Sequence, residues 1–176
     1  MLLDLTDALK HQGESRLFSL EGMLPDNLIV GEIQLAAPVR INGTVTAMGH
    51  QVAVVGRIHA QIRTQCALCL KETYQELDCD YDELLVHADY AAQGRGDGGD
   101  SDDEEVVLFE GSACDLTQSI AQTLNLHMPM RILCKVDCKG LCPKCGKNLN
   151  EGPCACESES DLPFARLKIL LKDEEV

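Results

Sequence analysis

The chain predicts an α+β fold, an antiparallel β-sheet or partial barrel with a few short helices and a C-terminal zinc-knuckle segment. Three observations carry this reading. Apolar residues alternate with polar ones through much of the first half, a helical apolar stripe follows Asp115, and six of the ten cysteines crowd into residues 134–156.

With 176 residues, 45% of them hydrophobic, the chain can form one domain with a sizeable core, or such a domain with a small metal-stapled appendix. The expected division is a mainly β part over residues 1–130, with an acidic mobile loop at 91–105 and a helix near 115–126. A cysteine-rich zinc segment with a C-terminal helix, residues 131–176, packs on the same domain. Aromatics are 3% of the chain and Trp is absent, so the core rests on Leu, Val, Ile and Ala. Little material remains for stacking exposed bases.

The run Val39 to Ala47, broken at Asn42-Gly43, connects through Met48-Gly49-His50-Gln51 to Val52–Val55, which predicts an antiparallel meander. Ile58, Ala60 and Ile62 then alternate with His59, Gln61 and Arg63, the period of a half-buried strand. Leu77, Cys79 and Tyr81 alternate with acidic residues in the same way, so a second strand returns beside the first and Cys79 faces the core as a small apolar residue. Cys66-Ala-Leu-Cys69 occupies the turn between them. This two-sulfur knuckle is open to three uses: two further ligands for a C-terminal zinc, a second metal held with help from a partner, or a pair of reduced thiols. Strand-like sequence on both sides opposes a thioredoxin-type redox role, which needs a strand-to-helix junction.

Residues 91–105 are rich in Gly and Asp with almost nothing to bury, as expected of a solvated insertion. Asp115 with Gln118 three positions on forms an approximate capping box, and Leu116, Ile120 and Leu124 share one helical face. Pro129 ends that helix, and His127 beside it reads as structural. Phe164, Leu167 and Leu171, after Asp161 and Pro163, predict a short docking helix.

Cys134, Cys138, Cys142, Cys145, Cys154 and Cys156 have metal-ligand spacing. Cys142-Pro-Lys-Cys145-Gly has the form of a zinc knuckle, in which Pro143 fixes a backbone angle and Gly146 permits the turn. Four of the six suffice for one tetrahedral Zn²⁺. Cys142 and Cys145 belong to every option, completed by the preceding pair, the following pair, or one sulfur from each side. Six clustered cysteines predict about one zinc per chain. A disulfide framework would need an oxidising compartment, whereas Met1 is followed by Leu-Leu-Asp-Leu-Thr-Asp, without a basic region or a long apolar core, which predicts a cytoplasmic protein. No apolar run approaches bilayer length, so no membrane partner is expected.

The formal net charge of −14 opposes general binding to phosphate backbones. Locally the balance reverses: residues 131–150 sum to +4, from Arg131, Lys135, Lys139, Lys144 and Lys147 against Asp137. The four lysines either contact RNA or offset the thiolate charge.

Read in order, the Cys66-Ala-Leu-Cys69-Leu turn, the helix from Asp115-Leu116 to Leu124 leading into Met128-Pro-Met-Arg131, and the run Leu133-Cys134 to Asn150 resemble the YceD family, named for large ribosomal RNA subunit accumulation. Cys154-Ala-Cys156 and Asp161 to Lys168 resemble its ending, with a departure where members read Asp-Pro-Arg. The resemblance implies a cytoplasmic accessory protein needed for normal amounts of large-subunit ribosomal RNA, with no established enzymatic activity.

The residues themselves offer no nucleophile with a base, no Gly-rich phosphate loop and no His-rich open metal shell, which predicts a non-enzyme. Three classes of action follow: contact with ribosomal or rRNA-processing proteins, direct rRNA binding through the zinc loop, or thiol- or zinc-responsive regulation.

Overall fold

The computed structural model describes residues 1–31, 33–92 and 106–156. The chain opens with β1 (Leu2–Asp4) and the one-turn helix α1 (Thr6–Lys10). Strand β2 (Ser15–Gly22) follows, then a 3-10 turn at Asp26–Leu28, β3 (Gln34–Leu35), β4 (Val39–Met48), β5 (Gln51–Gln65) and β6 (Glu72–His87). Helix α2 (Ala88–Ala92), β7 (Val107–Phe109), β8 (Ala113–Asp115) and helix α3 (Thr117–Leu126) complete the regular elements.

One sheet runs in the order β2-β4-β5-β6-β7, with β3 pairing the far half of β5, and a two-stranded sheet joins β1 to β8. The expected meander is β4-β5-β6. Met48 pairs Gln51 across a two-residue turn, and Gly49 there takes φ +64°, where a side chain is strained. The sheet is mixed rather than wholly antiparallel, because β7 lies parallel to β6. Among the described residues it stays open and forms no closed barrel.

Asn42-Gly43 does not break the strand as expected. Both lie inside β4, with Gly43 opposite Gly56 of β5. A Cβ on Gly43 would lie 2.2 Å from the Val55 carbonyl oxygen, so this glycine serves a close approach of two backbones.

Alternation predicted the buried faces correctly. Ile58, Ala60, Ile62, Leu77, Cys79 and Tyr81 all point into the core, with Val39, Ile41, Val52, Val54 and Leu85. Helix α3 covers this face with Leu116, Ile120 and Leu124, each fully buried. The Tyr81 hydroxyl reaches Ser119 at 3.0 Å, and Ser119 donates to Glu83, so the polar groups at this contact have partners. The cap differs from expectation. Asp115 accepts the Thr117 backbone N–H at 3.0 Å and the Thr117 hydroxyl, and Gln118 makes no return bond among the described contacts. The Met1 ammonium and Thr117 hold the Asp115 carboxyl down at about 2. His127 sits at the helix end and donates from Nδ1 to the Thr123 carbonyl.

Residues 93–105 of the expected acidic loop, and the expected helix after Asp161, lie outside the described residues.

Candidate metal centres

The tip of the β5-β6 hairpin and the Cys142 loop are built to one plan. Cys66 N–H donates to the Lys71 carbonyl at 2.8 Å, and Leu70 N–H returns to the Cys66 carbonyl at 3.0 Å. Cys142 N–H donates to the Lys147 carbonyl at 2.8 Å, and Gly146 N–H returns to the Cys142 carbonyl at 2.9 Å. In each, the residue after the second cysteine is left-handed, Leu70 at φ +57° and Gly146 at +71°. Both are therefore knuckles, and both aim backbone amides at their first sulfur. Burial pushes the Cys66 thiol up, but amides of Cys134, Leu68 and Cys69 prevail and bring it to about 6. The amides of Cys145 and Lys144, with the Cys154 thiol, bring Cys142 to about 6 as well.

Each knuckle has its own second pair of sulfurs. Cys66, Cys69, Cys134 and Cys138 form one set and Cys142, Cys145, Cys154 and Cys156 the other, the sulfurs of each lying within 4.8 Å of one another. Distances of 3.7 Å from Cys66 to Cys138, 3.5 Å from Cys69 to Cys134 and 3.4 Å from Cys154 to Cys142 lie near the ~3.8 Å edge of a tetrahedron with Zn–S bonds of about 2.3 Å. Either set can hold a metal ion. The six C-terminal cysteines thus divide. Cys134 and Cys138 lie with the hairpin pair, while Cys142 and Cys145 lie with the following pair, one of the three completions that the spacing allowed.

Four thiols so close cannot all ionise unaided. Burial, then the neighbouring Cys69, push Cys134 up to about 12, while Cys145 and then burial push Cys156 up to about 12. A divalent cation would resolve this conflict, because it would stabilise all four thiolates together.

The two sets differ in setting. At the hairpin, Cys66 and Cys69 are buried, and the incoming segment is clamped by Ala67 N–H to the Ile132 carbonyl at 2.9 Å and Leu141 N–H to the Leu68 carbonyl at 3.1 Å. Gly140 lies against Leu68, where a Cβ would come within 3.1 Å of its carbonyl oxygen. The second set is local, and Cys145 is exposed. Cys79 and Cys114 stay apart from both, buried in the core, and burial pushes both thiols up, Cys114 to about 11.

The lysines lie around these loops and are exposed. Lys135 pairs with Asp137 at 3.9 Å, Lys139 offers its backbone N–H to Asn150 Oδ1, and the Lys147 ammonium donates to the Pro153 carbonyl at 3.0 Å. Lys144 supplies one of the amides on Cys142.

A groove of about 540 Å³ on the outer face of the sheet is lined by Arg40, His59 and Asp78, among others. Arg40 pairs with Glu21 and His59 with Asp78, and the lining contains no hydroxyl, thiol or amine nucleophile.

The family model for the large ribosomal RNA subunit accumulation protein YceD matches residues 54–171. The chain belongs to the YceD family. That match takes in both knuckles and every cysteine of the two sets. A Mycobacterium tuberculosis protein described as uncharacterized is 28% identical over 130 residues, covering 74% of this chain and 60% of the relative. A Mycobacterium leprae protein, also described as uncharacterized, is 23% identical over 97% of this chain and 77% of its own length. The Arabidopsis thaliana chloroplastic YCED homolog 1, named as a large ribosomal RNA subunit accumulation protein, is 24% identical over 69% of this chain and 44% of its own length. The chain thus spans about three fifths of the first mycobacterial relatives it matches. No solved structure matches it. Among the described residues, no helix is long and apolar enough to cross a membrane.

Proposed function

We propose that this YceD-family chain is a non-enzymatic, cytoplasmic accessory factor in large-subunit ribosomal RNA accumulation, acting through contact with ribosomal or rRNA-processing proteins, with zinc in its cysteine centres. The family match over residues 54–171 carries the biological role. The chemistry of the donors supports the zinc: four thiolates leave no open position for water, so the metal cross-links rather than catalyses. It would be held by Cys66, Cys69, Cys134 and Cys138 at the hairpin and by Cys142, Cys145, Cys154 and Cys156 in the local loop.

Charge favours protein contact over direct RNA contact. A zinc ion with four thiolates carries about −2, and two such centres match the +4 of residues 131–150. What remains is the acidic bulk of the molecule, suited to a basic protein partner.

Cells lacking the protein should accumulate less large-subunit rRNA. Affinity capture from lysate, with and without ribonuclease, tests the mode of action. Protein partners should survive the nuclease, and rRNA should be captured only when proteins are present. Tight binding of purified, protein-free rRNA at physiological salt, weakened by Lys139→Glu with Lys144→Glu, would establish the direct-RNA reading instead.

A further inference from the structure

The two cysteine sets are joined by one side chain. Asn150 lies on the loop between Cys145 and Cys154, so it is carried by the second set. Its Nδ2 nevertheless points to the first set, 3.3 Å from the Cys138 sulfur. The amide orientation is fixed by its other contacts. Oδ1 accepts the Lys139 N–H at 3.0 Å, and Nδ2 also donates to Asn148 Oδ1 at 2.9 Å, so exchanging the two atoms would oppose like with like at both. Asn148 Oδ1 further accepts the Asn150 backbone N–H at 3.0 Å, which holds the residue in its turn.

Leu149 N–H to the Gly140 carbonyl at 2.9 Å and the Lys147 ammonium to Pro153 shape that turn, and an ion held by Cys145 and Cys154 would pin the two ends of the loop. A donor to a metal-bound thiolate stabilises its charge and orients the ligand. Filling the second set therefore delivers a preorganised donor to the first. In the other direction, a filled first set fixes Cys138, only four positions before Cys142, and with it the start of the second knuckle.

We infer that the two sulfur clusters are a coupled pair of zinc sites, with the hairpin site as anchor and Asn150 as the link through which each tightens the other. By linkage the tightening is equal in both directions. The inference rests on the zinc reading above and adds to it both a stoichiometry of two and an interaction between the sites.

The experiment uses the whole chain, reduced and stripped of metal. It is titrated with cobalt(II), whose visible absorption reports tetrahedral thiolate ligation, and then with zinc against a chromophoric chelator. Two ions should bind per chain. Asn150→Ala should still bind two, with each site, while the other is filled, weakened by the same factor of roughly 10–100, the usual effect of losing an outer-shell partner. Val136→Ala, at a fully exposed position between Cys134 and Cys138, should match the wild type. Cys142→Ser with Cys145→Ser should leave one ion, held as weakly as the hairpin site of Asn150→Ala. Two ions with unchanged affinities in Asn150→Ala would overturn the coupling alone. A single ion in the wild type would overturn the paired sites while leaving a structural zinc, and no thiolate-bound metal at all would overturn the zinc reading with it.

Discussion

The β-sheet and the cysteine segment are held together by different physics. In the sheet, Val39, Ile41, Val52, Val54, Ile58 and Leu85 are wholly buried, and α3 seals them with Leu116, Ile120 and Leu124. Removing such side chains from water supplies the driving force, at about 1.5–3 kcal/mol for each large residue. Across residues 131–156 the buried side chains are only Ile132 and Cys142, while Val136 is fully exposed. In place of a core, that segment has a handful of backbone hydrogen bonds and, with Cys66 and Cys69, two sets of four sulfurs. One molecule thus contains a region that apolar burial stabilises and a region for which a bound dication would be the substitute.

Metal removal should separate the two most sharply. A strong chelator under reducing conditions is expected to make residues 131–156 protease-sensitive while the sheet keeps its far-UV circular dichroism; loss of both signals together would mean that the sheet also needs the metal. Core truncation should do the converse. Ile58→Ala is expected to cost about 2–5 kcal/mol in denaturant unfolding, while metal content measured by elemental analysis stays unchanged. A smaller effect, about 1–3 kcal/mol, is expected for Tyr81→Phe, because buried Ser119 loses the Tyr81 hydroxyl and keeps only Glu83 as a partner. The smallest concerns the left-handed positions of the two knuckles. Gly146→Ala should weaken the second site through about 1–2 kcal/mol of backbone strain, whereas Leu70→Gly, which relieves the same strain, should leave the hairpin site no weaker. Equal losses from both changes would contradict the shared plan.

The sheet was more legible than the centres because its information is local. Alternation in residues 58–62 and 77–81 exposes the buried face directly, and the helix stripe at Leu116, Ile120 and Leu124 does the same. Gly43 misled, since a glycine in an apolar run signals a turn, and the backbone that needs its missing side chain, Val55, is remote in sequence. The parallel pairing of β7 has no local signature either. At the cysteine clusters, the knuckles were visible from their spacing, whereas the sulfurs that lie beside each were left open among several options. Cys134 lies 65 residues from Cys69, and crowding among the C-terminal cysteines pointed to one shell where geometry makes two sets. Asn150 resembled any loop asparagine, and only its distance to Cys138 distinguishes it.

The hairpin centre also imposes an order on biosynthesis. Cys66 and Cys69 leave the ribosome at the tip of the β5-β6 hairpin, but their complement begins 65 residues later. At ~5–20 residues per second, the two thiols wait roughly 3 to 13 s for Cys134 to be made. During that interval the nascent chain displays half a chelate, open to oxidants and to stray ions. A metal cross-link between the hairpin and the C-terminal segment would thus spend its first seconds as an incomplete set of ligands, open to the chemistry around the growing polypeptide.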